Sequence, residues 1–381
     1  MPYDMPFGII MSRLVVHVGA QKCGSTTIQN AFGNFVPSDY LRHVIFRIFP
    51  PELASRIHKD FNSVTRRELD IQLSDICEED VCLILSCEAL CNYPDVVAKL
   101  VESAVNRVPE VQIVVIGYSR AQYSYYLSEY KQWFFRATGR LRQDVNFLHR
   151  NNLAPDKFLP HERRMFVNTV MSFESQRQRD WYDYYKTLEG LISGYDANVQ
   201  LKSAHIPTKE INYSLVEDFV CKVNYRRFDT DVFTAAPKRV NQSFDPLLCE
   251  SIALHICNQS LDSSCFPGPH DGNHLILKAS NLFSKGRDDA LGALEGSSTL
   301  CEVAQATIAE NFVDSNEKYC DLYGINKKYF RVELPNAVCS NKEQLFTVAR
   351  EVQASRSSKE IYEYERHLLA ELEKVAFVFK R

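Results

Sequence analysis

RLVVHVGAQKCGSTTIQNAF, residues 13–32, is the stretch on which the rest of the chain is read. The apolar and β-branched run Leu14 to Val18 predicts a buried strand, and a loop containing Gly19 and Gly24 follows it. Ser25-Thr26-Thr27 then opens a helix that carries Ile28, Ala31 and Phe32. Strand, glycine loop and hydroxyl-capped helix make a phosphate-binding unit, because the first helical N–H groups lack intrahelical partners and face whatever fills the loop. The glycines allow torsions and close approach that a Cβ would hinder. A plain strand–turn–helix with polar caps is the simpler alternative for this stretch taken alone.

The remaining chain has the means to build an α/β fold around that unit. With 381 residues, 45% of them hydrophobic and 24% charged, it can bury a sizeable core. A net charge of −4 argues against a general nucleic-acid binder and against a basic membrane-surface patch. MPYDMPFGII, at the start, has no basic region and no long apolar core, so it does not read as a signal peptide; no stretch reaches the roughly 18 apolar residues needed to cross a bilayer, and a cytoplasmic location is the expectation. The 12 cysteines are then read as free thiols. Cys77, Cys82, Cys87 and Cys91 do not match a paired CxxC metal site; in an extended strand Cys82 and Cys87 would lie about 16 Å apart, so they are read as buried small hydrophobes.

Outward from the opening stretch, HVIFRIF (residues 43–49) reads as a strand or apolar connector ended by Pro50-Pro51. Polar-faced helices are predicted near Glu52–Phe61 and Arg66–Cys77. VCLILS, from Val81, and VQIVVIG, from Val111, are almost continuously apolar, as strands covered on both faces of a parallel sheet are. Between them, Pro94–Val108 is predicted helical, with Val96, Val97, Leu100, Val101 and Val105 facing inward. Residues 136–168 turn polar and basic with little clean periodicity and read as a long excursion, a lid or acceptor-binding region. Trp181 to Ile192 restores a helix, NVQLKS (from Asn198) reads as a strand, and Ser214 to Glu217 has a capping-box pattern. Residues 259–275 are loop-like, where His270 and His274 flank Asp271 and read as solvated rather than as metal ligands. Helices are predicted near Ala304–Asp314 and through Lys342–Phe377. The expected architecture is three-layered α/β with a central, mostly parallel sheet flanked by helices. It divides into a short extension (1–12), an α/β domain (13–330) and a C-terminal helical extension (331–381).

A nucleotide-binding loop of the standard kind sets its lysine directly after the second glycine. Here Lys22 precedes Gly24 and Ser25 follows it, an arrangement that resembles the 5′-phosphosulfate loop of the sulfotransferases, with Gln21 and Cys23 in place of the usual proline and hydroxyl residue. The same family carries an arginine at the end of a buried strand and a serine eight residues later. Here QIVVIG leads into Tyr118-Ser119-Arg120, and Ser128 falls eight residues beyond Arg120. Ser86-Cys87-Glu88 follows the strand VCLIL, where glycan-modifying members often place a glutamate; a helix N-terminal glutamate is the bland alternative. Weaker similarity runs through Tyr213–Phe219, Arg239-Val-Asn241-Gln-Ser243, and Glu310 to Gly324, although the family's late Arg-Lys-Gly loop is absent.

The resemblance implies a P-loop sulfotransferase fold and transfer of a sulfuryl group from 3′-phosphoadenosine 5′-phosphosulfate (PAPS) to a hydroxyl or amine acceptor, a glycan or lipid-linked sugar among them. By that reading Lys22 and Glu88 are catalytic. Lys22, Gly24, Ser25, Thr26 and Thr27 hold the 5′ side of the donor; Arg120 and Ser128, with Arg239 or Lys238 as an extra contact, hold its 3′-phosphate. No metal is implied. Two other classes stay open: a P-loop kinase or NTPase using ATP with Mg²⁺, and a non-catalytic binding protein on the same fold.

Overall fold

The computed structural model describes residues 12–20, 23–33, 43–175, 179–195, 198–206, 214–224, 244–258, 273–283, 299–331, 338–375 and 378–379. The elements begin β1 (Arg13–His17), α1 (Ser25–Gly33), β2 (Val44–Ile48), α2 (Pro51–Lys59), α3 (Ser63–Gln72), β3 (Cys82–Ser86), α4 (Pro94–Arg107) and β4 (Gln112–Ser119). Next come α5 (Gln122–Tyr130), α6 (Thr138–Arg150), α7 (Pro160–Ser172), α8 (Trp181–Ile192), β5 (Val199–His205) and α9 (Leu215–Val223). The described remainder is helical: α10 (Pro246–Asn258), α11 (Asn273–Phe283), α12 (Thr299–Asn311), α13 (Val313–Tyr323), α14 (Lys342–Ser355) and α15 (Ser358–Val375).

These elements form two compact units. One comprises Met1–Arg120, Asp180–Asn241 and Ser315–Tyr329; the other comprises Ala121–Arg179, Gln242–Asp314 and Phe330–Arg381. The first holds a five-stranded, all-parallel sheet in the order β2-β3-β1-β4-β5. Its central strands β3 and β4 are buried along almost their whole length, which is why they are written as unbroken apolar runs. HVIFRIF resolves to the edge strand β2, only half-buried. Right-handed crossovers put α1 on one face and the helices leading rightward on the other. The packing agrees, since α1 touches α9 while α4 touches α2, α3 and α8. The chain is thus of the three-layer α/β class expected.

Local chemistry explains where the helices start. Pro51 occupies the first turn of α2, and Asn62 with Thr65 forms a capping box on α3. Ser214 caps α9 by accepting from the Glu217 N–H at 3.1 Å, while the Glu217 carboxylate takes the Ser214 N–H. The inner face of α4 is Val96, Val97, Leu100, Val101 and Ala104; Val105, expected inside, is only half-buried because the helical period carries Ala104 to the sheet. Each large side chain on that face contributes about 1.5–3 kcal/mol by leaving water.

The second unit is helical among its described residues. Leu148 of α6, Phe166 and Val170 of α7, Leu300 and Val303 of α12, and Leu345 and Ala349 of α14 share one core cluster. The polar tract 136–168 is therefore mostly the two helices α6 and α7, not an irregular excursion. The segment 331–381 supplies α14 and α15 to this unit. Cys82 and Cys87 are buried as expected, and burial pushes their thiols up to about 12 and about 11; Cys77, by contrast, is exposed and Cys91 half-buried. Among the described residues no helix is long and apolar enough to cross a membrane.

Candidate functional site

The carboxyl edge of the sheet is where the crossover direction changes. The chain leaves β1 leftward for β2, whereas β3 and β4 lead rightward, and ligands of open α/β sheets gather at such a point. Register aligns His17 with Ser86 on one side and with Ile116 on the other, so the loops after β1, β3 and β4 emerge from neighbouring strand ends.

Beyond β1 the chain turns through a Cys23 N–H to Ala20 C=O bond of 3.1 Å and enters α1 at Gly24. Gly24 has φ +86°, in the left-handed region that favours glycine, and a Cβ there would meet Leu215 Cδ2 at 2.1 Å. The Gly24 carbonyl accepts from Thr27 at 2.9 Å and from Ile28 at 3.3 Å. The N–H of Thr27 is thereby spent inside the turn, which leaves those of Gly24, Ser25 and Thr26 as the loop's donors toward an anion. Cys23 is fully buried, so at this position the chain uses a small core residue where the resembled family carries a hydroxyl.

Ser25 is buried, and its hydroxyl donates to the carboxylate of Glu88. Glu88 is half-buried and opens a short 3-10 turn, Glu88–Asn92, directly after β3. The structure therefore joins two residues singled out separately, one from the loop after β1 and one from the end of β3. Thr26 and Thr27 are half-buried on the same first turn.

Arg120 directly follows β4, its carbonyl accepting from Trp181 Nε1 at 2.8 Å. The neighbouring His205, at the end of β5, is pulled down to about 4, chiefly by burial and also by the charge of Arg120. Ser128 sits half-buried on α5, in the second unit, whereas Arg120 belongs to the first. Lys22, Lys238, Arg239, His270 and Asp271 lie outside the described residues; His274, at the start of α11, is exposed.

His17 was not singled out by the sequence and lies at the centre of this edge. It is fully buried, its Nδ1 is 2.9 Å from Ser86 Oγ, and Gln29 Nε2 donates to the same hydroxyl at 3.2 Å. Burial lowers the imidazole to about 3, so it is neutral at physiological pH. Its Nε2 has no hydrogen-bond partner among the described residues and lies beneath the loop, where a Cβ on Gly19 would meet it at 2.7 Å. The visible mark was a lone polar residue in the apolar run LVVHV, followed two positions later by glycine.

Comparison with family models, with curated proteins and with solved structures found no match. The reading of this edge consequently rests on its residues alone.

Proposed function

We propose that the chain is a sulfotransferase of the P-loop kind, moving a sulfuryl group from PAPS to a hydroxyl or amine acceptor, with a glycan or lipid-linked sugar as the favoured acceptor class. The observation that carries this reading is the bond between Ser25 and Glu88, which sets a carboxylate against the first turn of the helix that follows the glycine loop. The available N–H groups of Gly24, Ser25 and Thr26 suit the 5′-phosphosulfate, and the Lys22 ammonium suits the bridging oxygen on which charge grows as the sulfur–oxygen bond breaks. Glu88 takes the acceptor's proton as its oxygen or nitrogen attacks sulfur. Arg120, with Arg239 or Lys238, is assigned to the 3′-phosphate. The scheme needs no metal, and the free cysteines suit a reducing, cytoplasmic setting.

Thermal denaturation of the full chain with adenosine 3′,5′-bisphosphate in EDTA tests the reading. Stabilisation without metal that is lost in Lys22→Ala supports it. Stabilisation by ATP only with Mg²⁺ would replace it with the kinase or NTPase class, and no response to either nucleotide would favour a non-catalytic binding protein.

A further inference from the structure

The second unit contains a constellation with no part in the sulfuryl chemistry. Cys301 is the third residue of α12, His161 the second of α7, and Glu250 the fifth of α10. His161 Nδ1 is 3.1 Å from Glu250 Oε1, and the His161 backbone N–H faces the same oxygen at 3.4 Å. Glu250, almost fully buried, is fixed from its other oxygen by the Tyr130 hydroxyl at 2.6 Å. The Cys301 sulfur lies within 4.8 Å of a ring nitrogen of His161.

We propose that Cys301, His161 and Glu250 form a thiol nucleophile site that takes an activated acyl ester, with Cys301 as nucleophile, His161 as its acid–base partner and Glu250 as the group that orients His161. A carboxylate on one ring nitrogen and a sulfur beside the imidazole is the order in which nucleophilic cysteines are activated. The start of α12 adds the favourable end of a helix dipole to the sulfur. Burial works against charge on His161, but Glu250 and Cys301 beside it outweigh that and hold the ring well above its ordinary value. Among the described residues, Glu162, Arg356, Tyr123, Tyr364, Cys249 and Cys257 also face this cluster. Cys301 is half-buried rather than sealed, so a small ester can reach it.

In the step, the Cys301 thiolate forms a sulfur–carbon bond to the carbonyl carbon and the bond from carbon to the leaving oxygen breaks. The electron pair leaves with that oxygen, and the imidazolium of His161 gives it a proton. The product is an S-acyl cysteine and an alcohol.

His161, Glu162 and Cys301 also lie close enough together to hold a metal ion. Glu162 opposes that use. Its two oxygens take both ends of the Arg356 guanidinium, at 2.5 and 2.7 Å, and one also takes the Leu159 N–H at 2.8 Å. A cation bound there would face a guanidinium across a carboxylate that is already neutralised.

The test is site-resolved chemistry on the full chain at pH 7, followed by peptide mass spectrometry. The exposed Cys221 serves as the internal reference. With limiting iodoacetamide, Cys301 is expected to react about tenfold faster than Cys221 despite its burial. 4-Nitrophenyl acetate is expected to leave an S-acetyl group on Cys301. Both reactions should fall to or below the Cys221 level in His161→Ala and in His161→Gln, with Glu250→Gln between them and wild type. Either histidine variant counts only if its thermal transition stays within a few degrees of wild type; the wild-type ratio stands without them. Alkylation of Cys301 no faster than that of Cys221 overturns the proposal, as does fast alkylation without acetylation. Protection of Cys301 by one equivalent of Zn²⁺ would overturn it in favour of a metal site.

Discussion

The Ser25 hydroxyl donates to the Glu88 carboxylate across 63 positions of sequence, tying the first turn of α1 to the end of β3. Ser25→Ala should lower unfolding free energy by about 1.5–3 kcal/mol, the value of a hydrogen bond to a carboxylate. Glu88→Ala should cost a similar amount, and the double variant less than the sum. A coupling of about 1 kcal/mol in urea denaturation is the expected outcome; additive losses would show that the contact adds nothing.

Under the sulfotransferase reading, Glu88→Gln keeps an acceptor for Ser25 but loses the proton acceptor. Turnover should drop about 10²–10⁴-fold while binding of adenosine 3′,5′-bisphosphate stays within about twofold. A proportional loss of both would mean that Glu88 only shapes the site.

His17 makes a prediction about acid stability. Its folded value of about 3 lies below the ordinary 6.5, so the unfolded chain binds the proton first as pH falls. The stability tied to a neutral His17 is complete above about 6.5 and is lost progressively toward 3, at about 1.4 kcal/mol per pH unit. His205, depressed to about 4, acts in the same direction. Replacing His17 by Asn, which can keep the bond to Ser86, should flatten the slope of unfolding free energy between pH 5 and 6.5. Equal slopes in the two proteins would contradict the buried neutral imidazole.

At Gly24, alanine meets two separate obstacles. The left-handed torsion costs about 1–2 kcal/mol, and the contact with Leu215 adds to it. Leu215→Ala in the same chain should relieve the contact but not the torsion, so a partial recovery of the thermal midpoint is expected. Full recovery would mean that the backbone is unstrained at this position.

Arg356→Ala removes the partner of a carboxylate, Glu162, that has no exposed surface. The expected cost is about 3–5 kcal/mol. Glu162→Gln introduced with it should recover part of that loss, because no uncompensated charge then remains inside. Chemical denaturation of the three proteins decides this.

Where the sequence was legible, one face or one strand carried an unmixed pattern. β1, β3 and β4 are continuous apolar runs, α8 repeats Trp181, Tyr185, Leu188 and Ile192 on its buried side, and Ser214 with Glu217 wrote out its own cap. α7 failed that test for a physical reason. It buries Glu162, Arg163, Asn168 and Thr169 along with Met165, Phe166 and Val170, so no stripe separates its inside from its outside. Arg163 Nε donates to the Pro155 and Phe158 carbonyls just before α7, and Glu162 is held by Arg356, 194 positions away, a partner that no local window shows. At the site, Glu88 and the Ser25 turn were found from their places after strands. His17 was not, because a histidine among valines reads as one more buried residue until Ser86 and the Gly19 loop are seen around it.

The parallel sheet takes its strands in the order β2-β3-β1-β4-β5, and its last strand ends at His205, while α13, whose Tyr319 packs on Tyr185 of α8, ends at Tyr323. The polypeptide leaves the sheet unit after Arg120, returns at Asp180, leaves again after Asn241 and returns at Ser315. A nascent chain therefore cannot finish either half before beginning the other. All five strands have been made once His205 has left the ribosome, but the unit they belong to is completed only by Ser315–Tyr329, more than three hundred residues into synthesis, so its last helix is added long after its sheet can pair.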